Sequence, residues 1–134
     1  MNYFWSLVLE QLIQKVSNMK IYAFDVDETL DISVGPIPME ELRNLSHFNI
    51  VGLCGNWARV TRNVPDWMRF ISFIGPMGIK KEDFLLQLKT YIPCDEVVMV
   101  GNILGISGLS DDNGAALRAG VRFIRELDFA NGTR

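Results

Sequence analysis

Apolar residues fall along this chain in two rhythms, short unbroken runs and stripes at helical spacing, and the two alternate. A strand covered on both faces reads as a continuous apolar run, whereas an amphipathic helix repeats its apolar positions every three to four residues. Ile21 to Phe24 is the first run, and it stops abruptly at Asp25. Asp31 to Pro38 is turn-rich, with Gly35, Pro36 and Pro38, and Met39 to Leu45 then reads as a helix. Asn49 to Cys54 is a second strand, followed by a helix from Trp57 towards Asn63 that must end before Pro65. Arg69 to Ile74 is a third strand. Gly75, Pro76 and Gly78 form the next loop, and Lys80 to Tyr91 carries Phe84, Leu85 and Leu88 at helical spacing. Glu96 to Val100 is the fourth strand, Gly101 to Gly108 a glycine-rich loop, Asp111 to Ala119 a helix closed by Gly120, and Val121 to Ile124 the fifth strand. Strands alternating with helices predict an α/β fold of three layers built on a parallel sheet of about five strands.

The start of the chain differs. Tyr3, Phe4, Trp5, Leu7, Val8, Leu9, Leu12, Ile13 and Val16 make an apolar stripe broken by Glu10, Gln11, Gln14 and Lys15, the pattern of an amphipathic helix. It is too short and too polar to span a bilayer, and it lacks the basic start and small-residue cleavage site of a signal peptide, so no membrane insertion is expected. Residues 1–18 therefore read as a helical extension that packs on the body or pairs with another chain, with packing favoured, and residues 19–134 as the domain proper.

At 134 residues the chain has room for one core and no large separate substrate domain. A net charge of −3 disfavours nucleic acid as a partner, although Arg59, Arg62 and Arg69 gather loosely near the predicted cleft. The two cysteines, Cys54 and Cys94, have neither zinc-site nor disulfide-framework spacing, and a reduced cytoplasmic setting is the simplest reading. His47 is the only histidine, which removes metal sites that need a second one; it reads as a solvated loop residue.

Candidate chemistry is concentrated where the first strand ends. Open parallel sheets bind ligands beyond the carboxyl ends of their strands, and Asp25 and Asp27, two residues apart on an extended segment, share a face there. Two carboxylates approaching one ligand repel each other unless a cation offsets them, which implies a divalent metal, magnesium. Asp-x-Asp alone is also what a strand end followed by a capped turn looks like. With Thr29 and Leu30 it makes Asp-x-Asp-x-Thr-Leu after a buried strand, and this segment resembles the first motif of the haloacid dehalogenase superfamily, whose members are mostly magnesium-dependent phosphohydrolases.

That resemblance, spanning roughly Met19 to Ile124, implies a Rossmann-like single domain in which Asp25 attacks phosphorus to form an aspartyl-phosphate and Asp27 serves as acid and base. Thr29 would order the loop. The family's second motif is a hydroxyl residue at the end of the next strand; here Gly55 stands at that position before Asn56, so the hydroxyl is absent and backbone N–H groups of Gly55 and Asn56 would hold phosphate instead. Cys54 reads as a small buried apolar side chain. The third motif is a lysine at a helix start, for which Lys80 and Lys81 are equal candidates, with a solvated surface lysine the bland alternative for each. In the fourth, Val97 to Val100 precedes Gly101 and Asn102 where the family carries Gly-Asp, and Asp112, or its neighbour Asp111, fits the second acid of that motif. Either acid could instead be a plain helix cap. The implied magnesium ligands are Asp25, the Asp27 carbonyl, Asn102 and Asp112 or Asp111.

Neither connection where the family inserts a mobile cap has room for one, so the chain resembles the capless type, whose open clefts take large phosphorylated substrates or close by oligomerisation. Trp57, Trp67 and Phe70 could line such a rim, although core packing is the commoner fate of aromatic residues. The expected activity is hydrolysis of a phosphorylated small molecule or macromolecule by a monomer or homo-oligomer. Two other readings stay open: a degenerate member that binds a phosphorylated ligand or protein with little turnover, and a polynucleotide end phosphatase.

Overall fold

Successive side chains of a strand point to opposite faces, and in β1 (Ile21–Phe24) both sets are buried. Tyr22 and Phe24 join Val51, Leu53, Val98, Val100 and Phe129 in one hydrophobic cluster, while Ile21 and Ala23 join Val97, Met99, Leu85 and Ala116 in another. The unbroken apolar run is thus the sequence trace of a sheet between two helical layers. The structure, a computed structural model, describes residues 3–17 and 19–134, the side chains of 12–17 excepted.

After β1 come α2 (Met39–Leu45), β2 (Ile50–Cys54), α3 (Ala58–Asn63), β3 (Phe73–Gly75), α4 (Lys81–Tyr91), β4 (Val97–Gly101), α5 (Asp112–Ala119), β5 (Arg122–Arg125) and α6 (Glu126–Ala130); α1 (Tyr3–Ser17) precedes them. All sheet pairings are parallel, in the order β3-β2-β1-β4-β5. The order reverses between β1 and β4, which opens a crevice at their carboxyl ends, the place where such sheets bind ligands. The expected five-stranded, three-layer, Rossmann-like α/β architecture is the one observed.

The two layers differ in texture. Met39 and Leu42 of α2, Val60 of α3 and Phe129 of α6 pack on the aromatic face, where the Phe24 and Phe129 rings meet edge to face with centroids 5.1 Å apart. Leu85 and Leu88 of α4 and Ala115, Ala116 and Ala119 of α5 cover the other face, with small side chains on α5. Fully burying a side chain such as Phe24 or Leu85 contributes about 1.5–3 kcal/mol. Cutting Phe24 back to alanine is expected to cost about 3–5 kcal/mol through the cavity it leaves.

One strand boundary departs from the pattern. Trp67–Arg69 is a 3-10 turn, and pairing with β2 starts only at Ser72, whose N–H donates to the Val51 carbonyl at 2.7 Å. The Arg43 guanidinium holds Asp66 and lies 4.3 Å from the Phe70 ring centroid, which fixes residues 66–70 as a turn although Phe70 and Ile71 are as apolar as a strand. Helix α6 and a second 3-10 turn at Asp31–Ser33 have no counterpart in the sequence reading. Phe70 is buried and Trp57 and Trp67 are packed against the same cluster, so these aromatic residues belong to the core. His47 is exposed after α2. Helix α1 forms as its stripe predicts, with Tyr3, Phe4, Trp5, Leu7 and Leu9 exposed; the side chains of Leu12, Ile13 and Val16 lie outside the described residues.

Candidate active site

Parallel pairing carries Asp25 one step past β1 and Asn102 one step past β4, on the two sides of the crevice. The Asp25 N–H donates to the Val100 carbonyl at 2.9 Å, which fixes its backbone as an extension of the sheet. The residue is only 2% exposed. Thr29 Oγ1 donates to Asp25 Oδ2 at 3.3 Å, and Lys81 Nζ donates to Asp25 Oδ1 at 3.0 Å and to Asp112 Oδ1 at 2.7 Å. The other oxygen of Asp112 accepts the Asn102 backbone N–H at 2.8 Å. Two buried carboxylates thus share one ammonium.

That inventory leaves a surplus of negative charge, and it shows in the acidities. Burial, reinforced by the charge of Asp112 and opposed by Lys81, pushes the Asp25 carboxyl up to about 7. For Lys81, burial alone would favour the neutral amine, but Asp25 and Asp112 outweigh it and hold the group above the ordinary lysine range, as an ammonium. Cys54 is near these groups and wholly buried; burial pushes its thiol up to about 12, which removes it as a nucleophile near neutral pH.

Asp27 sits differently. It is exposed, and its carboxylate accepts from Ser33 Oγ at 2.5 Å and from Asn56 Nδ2 at 3.2 Å. The 3-10 turn that carries Ser33 is tied back by the Glu28 N–H, which donates to the Ser33 carbonyl at 2.8 Å. Glu28 has φ 59, a conformation costly for a residue with a side chain, and its carbonyl accepts from Asn102 Nδ2 at 3.1 Å. The strained residue therefore links the loop after β1 to the residue after β4.

Adjacent candidates separate cleanly. Lys81, first residue of α4, reaches the carboxylates, while Lys80 is exposed as the residue before the helix. Asp112 is completely buried, while Asp111 is exposed and caps α5, accepting from the Gly114 N–H at 3.1 Å. Gly55 departs from the expected phosphate-binding role. Its N–H donates to the Gly75 carbonyl at 2.9 Å, because the β2–β3 ladder continues past the strand, so that amide is not available to a phosphate. A Cβ on Gly55 would stand 2.5 Å from Asp25 Oδ1. The missing hydroxyl thus reflects how closely this backbone approaches the Asp25 carboxylate. Asn56 meets Asp27 by its side chain, and Arg59, Arg62 and Arg69 are exposed along the segment that follows.

Asn102 is completely buried, with its amide nitrogen engaged twice, by the Glu28 carbonyl and by Glu126 Oε2 at 3.2 Å. Its Oδ1 is buried without a partner, an orphan acceptor of the kind a cation or water completes. Among the described residues no group of three or more His, Cys, Asp or Glu is placed to hold a metal ion. Magnesium does not demand one: it binds through one or two carboxylates and keeps waters or substrate phosphate as its remaining ligands. Asp25, the Asp27 carbonyl and the orphan Asn102 Oδ1 are hard oxygen donors that fit that chemistry, and a cation would offset the surplus charge at Asp25.

Ser33, Ser107 and Glu126 belong to this network and carry no sequence signal of their own. Glu126 directly follows β5, and its place is set by β5 lying beside β4, a contact that only the strand order reveals. Fold and site together define a parallel α/β protein with a buried carboxylate–lysine–carboxylate cluster at the sheet's switch point. Comparison of the chain with protein-family models, curated proteins and solved structures gives no match. No helix among the described residues is long and apolar enough to cross a membrane.

Proposed function

We propose that this protein is a magnesium-dependent phosphomonoester hydrolase that works through a phosphorylated Asp25. The observation that carries the reading is Lys81 Nζ seated between Asp25 and Asp112, with a second carboxylate, Asp27, exposed two residues from Asp25 and separately oriented. A nucleophile must be ionised and fixed, and Thr29 and Lys81 grip the two oxygens of Asp25. An acid–base group must be open to solvent, and Asp27 is exposed, held by Ser33 and Asn56.

In the first step a carboxylate oxygen of Asp25 forms a bond to phosphorus as the bond to the leaving oxygen breaks, and Asp27 delivers its proton to that oxygen. In the second, Asp27 takes a proton from water, whose oxygen attacks phosphorus and cleaves the acyl phosphate, returning the Asp25 carboxylate and inorganic phosphate. Lys81 offsets negative charge on the nucleophile throughout. Asp25, the Asp27 carbonyl and Asn102 Oδ1 would hold the magnesium ion, which when bound neutralises charge between the phosphate and Asp25.

A second reading rests on Gly55: with no hydroxyl there and its N–H engaged by Gly75, the transferring phosphoryl group would lose donors as charge develops on it, which favours a domain that binds its phosphorylated ligand through other contacts and turns over slowly. One assay separates the two. Purified protein and Asp25→Asn, prepared identically, are compared for hydrolysis of an aryl phosphate with and without magnesium. Metal-dependent turnover absent from the variant supports the hydrolase; saturable phosphate binding without turnover supports the binding domain.

A further inference from the structure

Glu126 lies outside the chemistry just described, yet it is 5% exposed and its acceptor capacity is directed at the site. Its Oε2 accepts from Asn102 Nδ2 at 3.2 Å and from Ser107 Oγ at 3.1 Å, and Oε1 faces Arg125 Nε at 3.4 Å. Ser107 Oγ in turn accepts the Ile103 N–H at 2.9 Å, so its own proton is directed to Glu126. Every neighbour treats Glu126 as an acceptor. Turning the Asn102 amide over would aim its oxygen at two acceptors, the Glu28 carbonyl and Glu126 Oε2, so the network permits one orientation. That orientation leaves Oδ1 as the unpartnered end, enclosed by Gly108, where a Cβ would stand 2.8 Å from it.

We propose that Glu126 is a positioning residue: through the Asn102 amide nitrogen it presents Asn102 Oδ1 as a neutral cation ligand, and it makes a carboxylate at position 102 unfavourable. The proposal rests on the magnesium-dependent reading of the site. An aspartate at 102 would bring a second carboxylate against Glu126 Oε2, where the amide now donates, and the two would repel unless one of them took up a proton. The amide after β4 and the acid after β5 are therefore one unit.

The test uses the full chain and Mn2+ as the probe, titrated by electron paramagnetic resonance, together with melting in EDTA. If Glu126 acts by orienting the amide, Glu126→Gln, whose side-chain oxygen can still accept from Asn102, keeps Mn2+ affinity within a few-fold of the parent, while Glu126→Ala loses about tenfold to a hundredfold, the usual range for groups that orient a metal ligand. In EDTA, Asn102→Asp melts several degrees below the parent, and Asn102→Asp/Glu126→Gln regains most of that loss. Equal weakening by Gln and Ala would overturn the proposal in favour of a direct charge effect, and so would an Asn102→Asp protein that melts with the parent. A parent protein that binds no Mn2+ would instead sink the magnesium reading and the ligand half of this proposal, while recovery in the double variant would still assign the orienting contact.

Discussion

The two sides of the crevice handle buried negative charge differently. On the α4–α5 side, Asp25 and Asp112 share the ammonium of Lys81; on the β5 side, Glu126 meets the neutral amide of Asn102 and the hydroxyl of Ser107 at one oxygen and the Arg125 guanidinium, more distant at 3.4 Å, at the other. An ammonium between two carboxylates can be removed only at the expense of leaving both uncompensated, whereas an amide is held in place by geometry and can be replaced by another donor. The first side is thus built for charge and the second for orientation. The proposed nucleophile belongs to the first and the candidate neutral metal ligand to the second.

Breaking the charged side should have the largest effect. Lys81→Met is expected to lower stability by about 3–5 kcal/mol, since it strands two buried carboxylates, and to abolish turnover; denaturant unfolding near neutral pH reads the first and the aryl phosphate assay the second. Next is Gly55→Ser. Restoring the hydroxyl that the resemblance calls for should cost about 1–3 kcal/mol and lower activity, because the new Cβ must displace Asp25 Oδ1. A gain in activity would contradict the geometry described for Gly55.

The acidity of Asp25 sharpens the same comparison. Folded, the group titrates near 7, above the ordinary aspartate range, so between about pH 4 and about pH 7 the folded chain keeps a proton that the unfolded chain has released. The stability contributed by this proton is complete below about pH 4 and is lost as the pH rises through about 7. In EDTA, unfolding midpoints of Asp25→Asn relative to the parent should therefore move in the variant's favour between about pH 5 and about pH 8. Parallel curves would mean that burial does not raise this carboxyl. The smallest effect belongs to Lys80→Met, a change on an exposed side chain, expected to fall within about 0.5 kcal/mol and to leave turnover intact.

These contrasts also mark how far the sequence could be read. Buried strands announce themselves by unbroken apolar runs, so β1, β2 and β4 and the residues at their carboxyl ends were legible, Asp25 and Asn102 among them. The start of β3 was not, because Phe70 and Ile71 look like strand residues, while local backbone bonds to Trp67 and the distant Arg43, which holds Asp66 and covers the Phe70 ring, keep them out of the strand. Lys80 and Lys81, like Asp111 and Asp112, are identical neighbours at helix starts; one residue rotates a side chain by about 100° around a helix, and no pattern in the chain says which of two equal residues turns inward. Gly55 read as a missing hydroxyl, while its reason is a close approach between two strands. Glu126 was illegible for the same cause: its partner Asn102 follows the neighbouring strand, and the pairing exists only in the assembled sheet.

The most direct test of the account is to look for phosphate on Asp25. The protein is mixed with a saturating aryl phosphate and magnesium, quenched in acid during turnover, reduced with borohydride to convert acyl phosphates to alcohols, and digested for mass spectrometry. The account predicts a reduced side chain at Asp25 and at no other acid, lost when magnesium is withheld. Turnover with Asp25 unmodified, or turnover that survives Asp25→Asn, would contradict it.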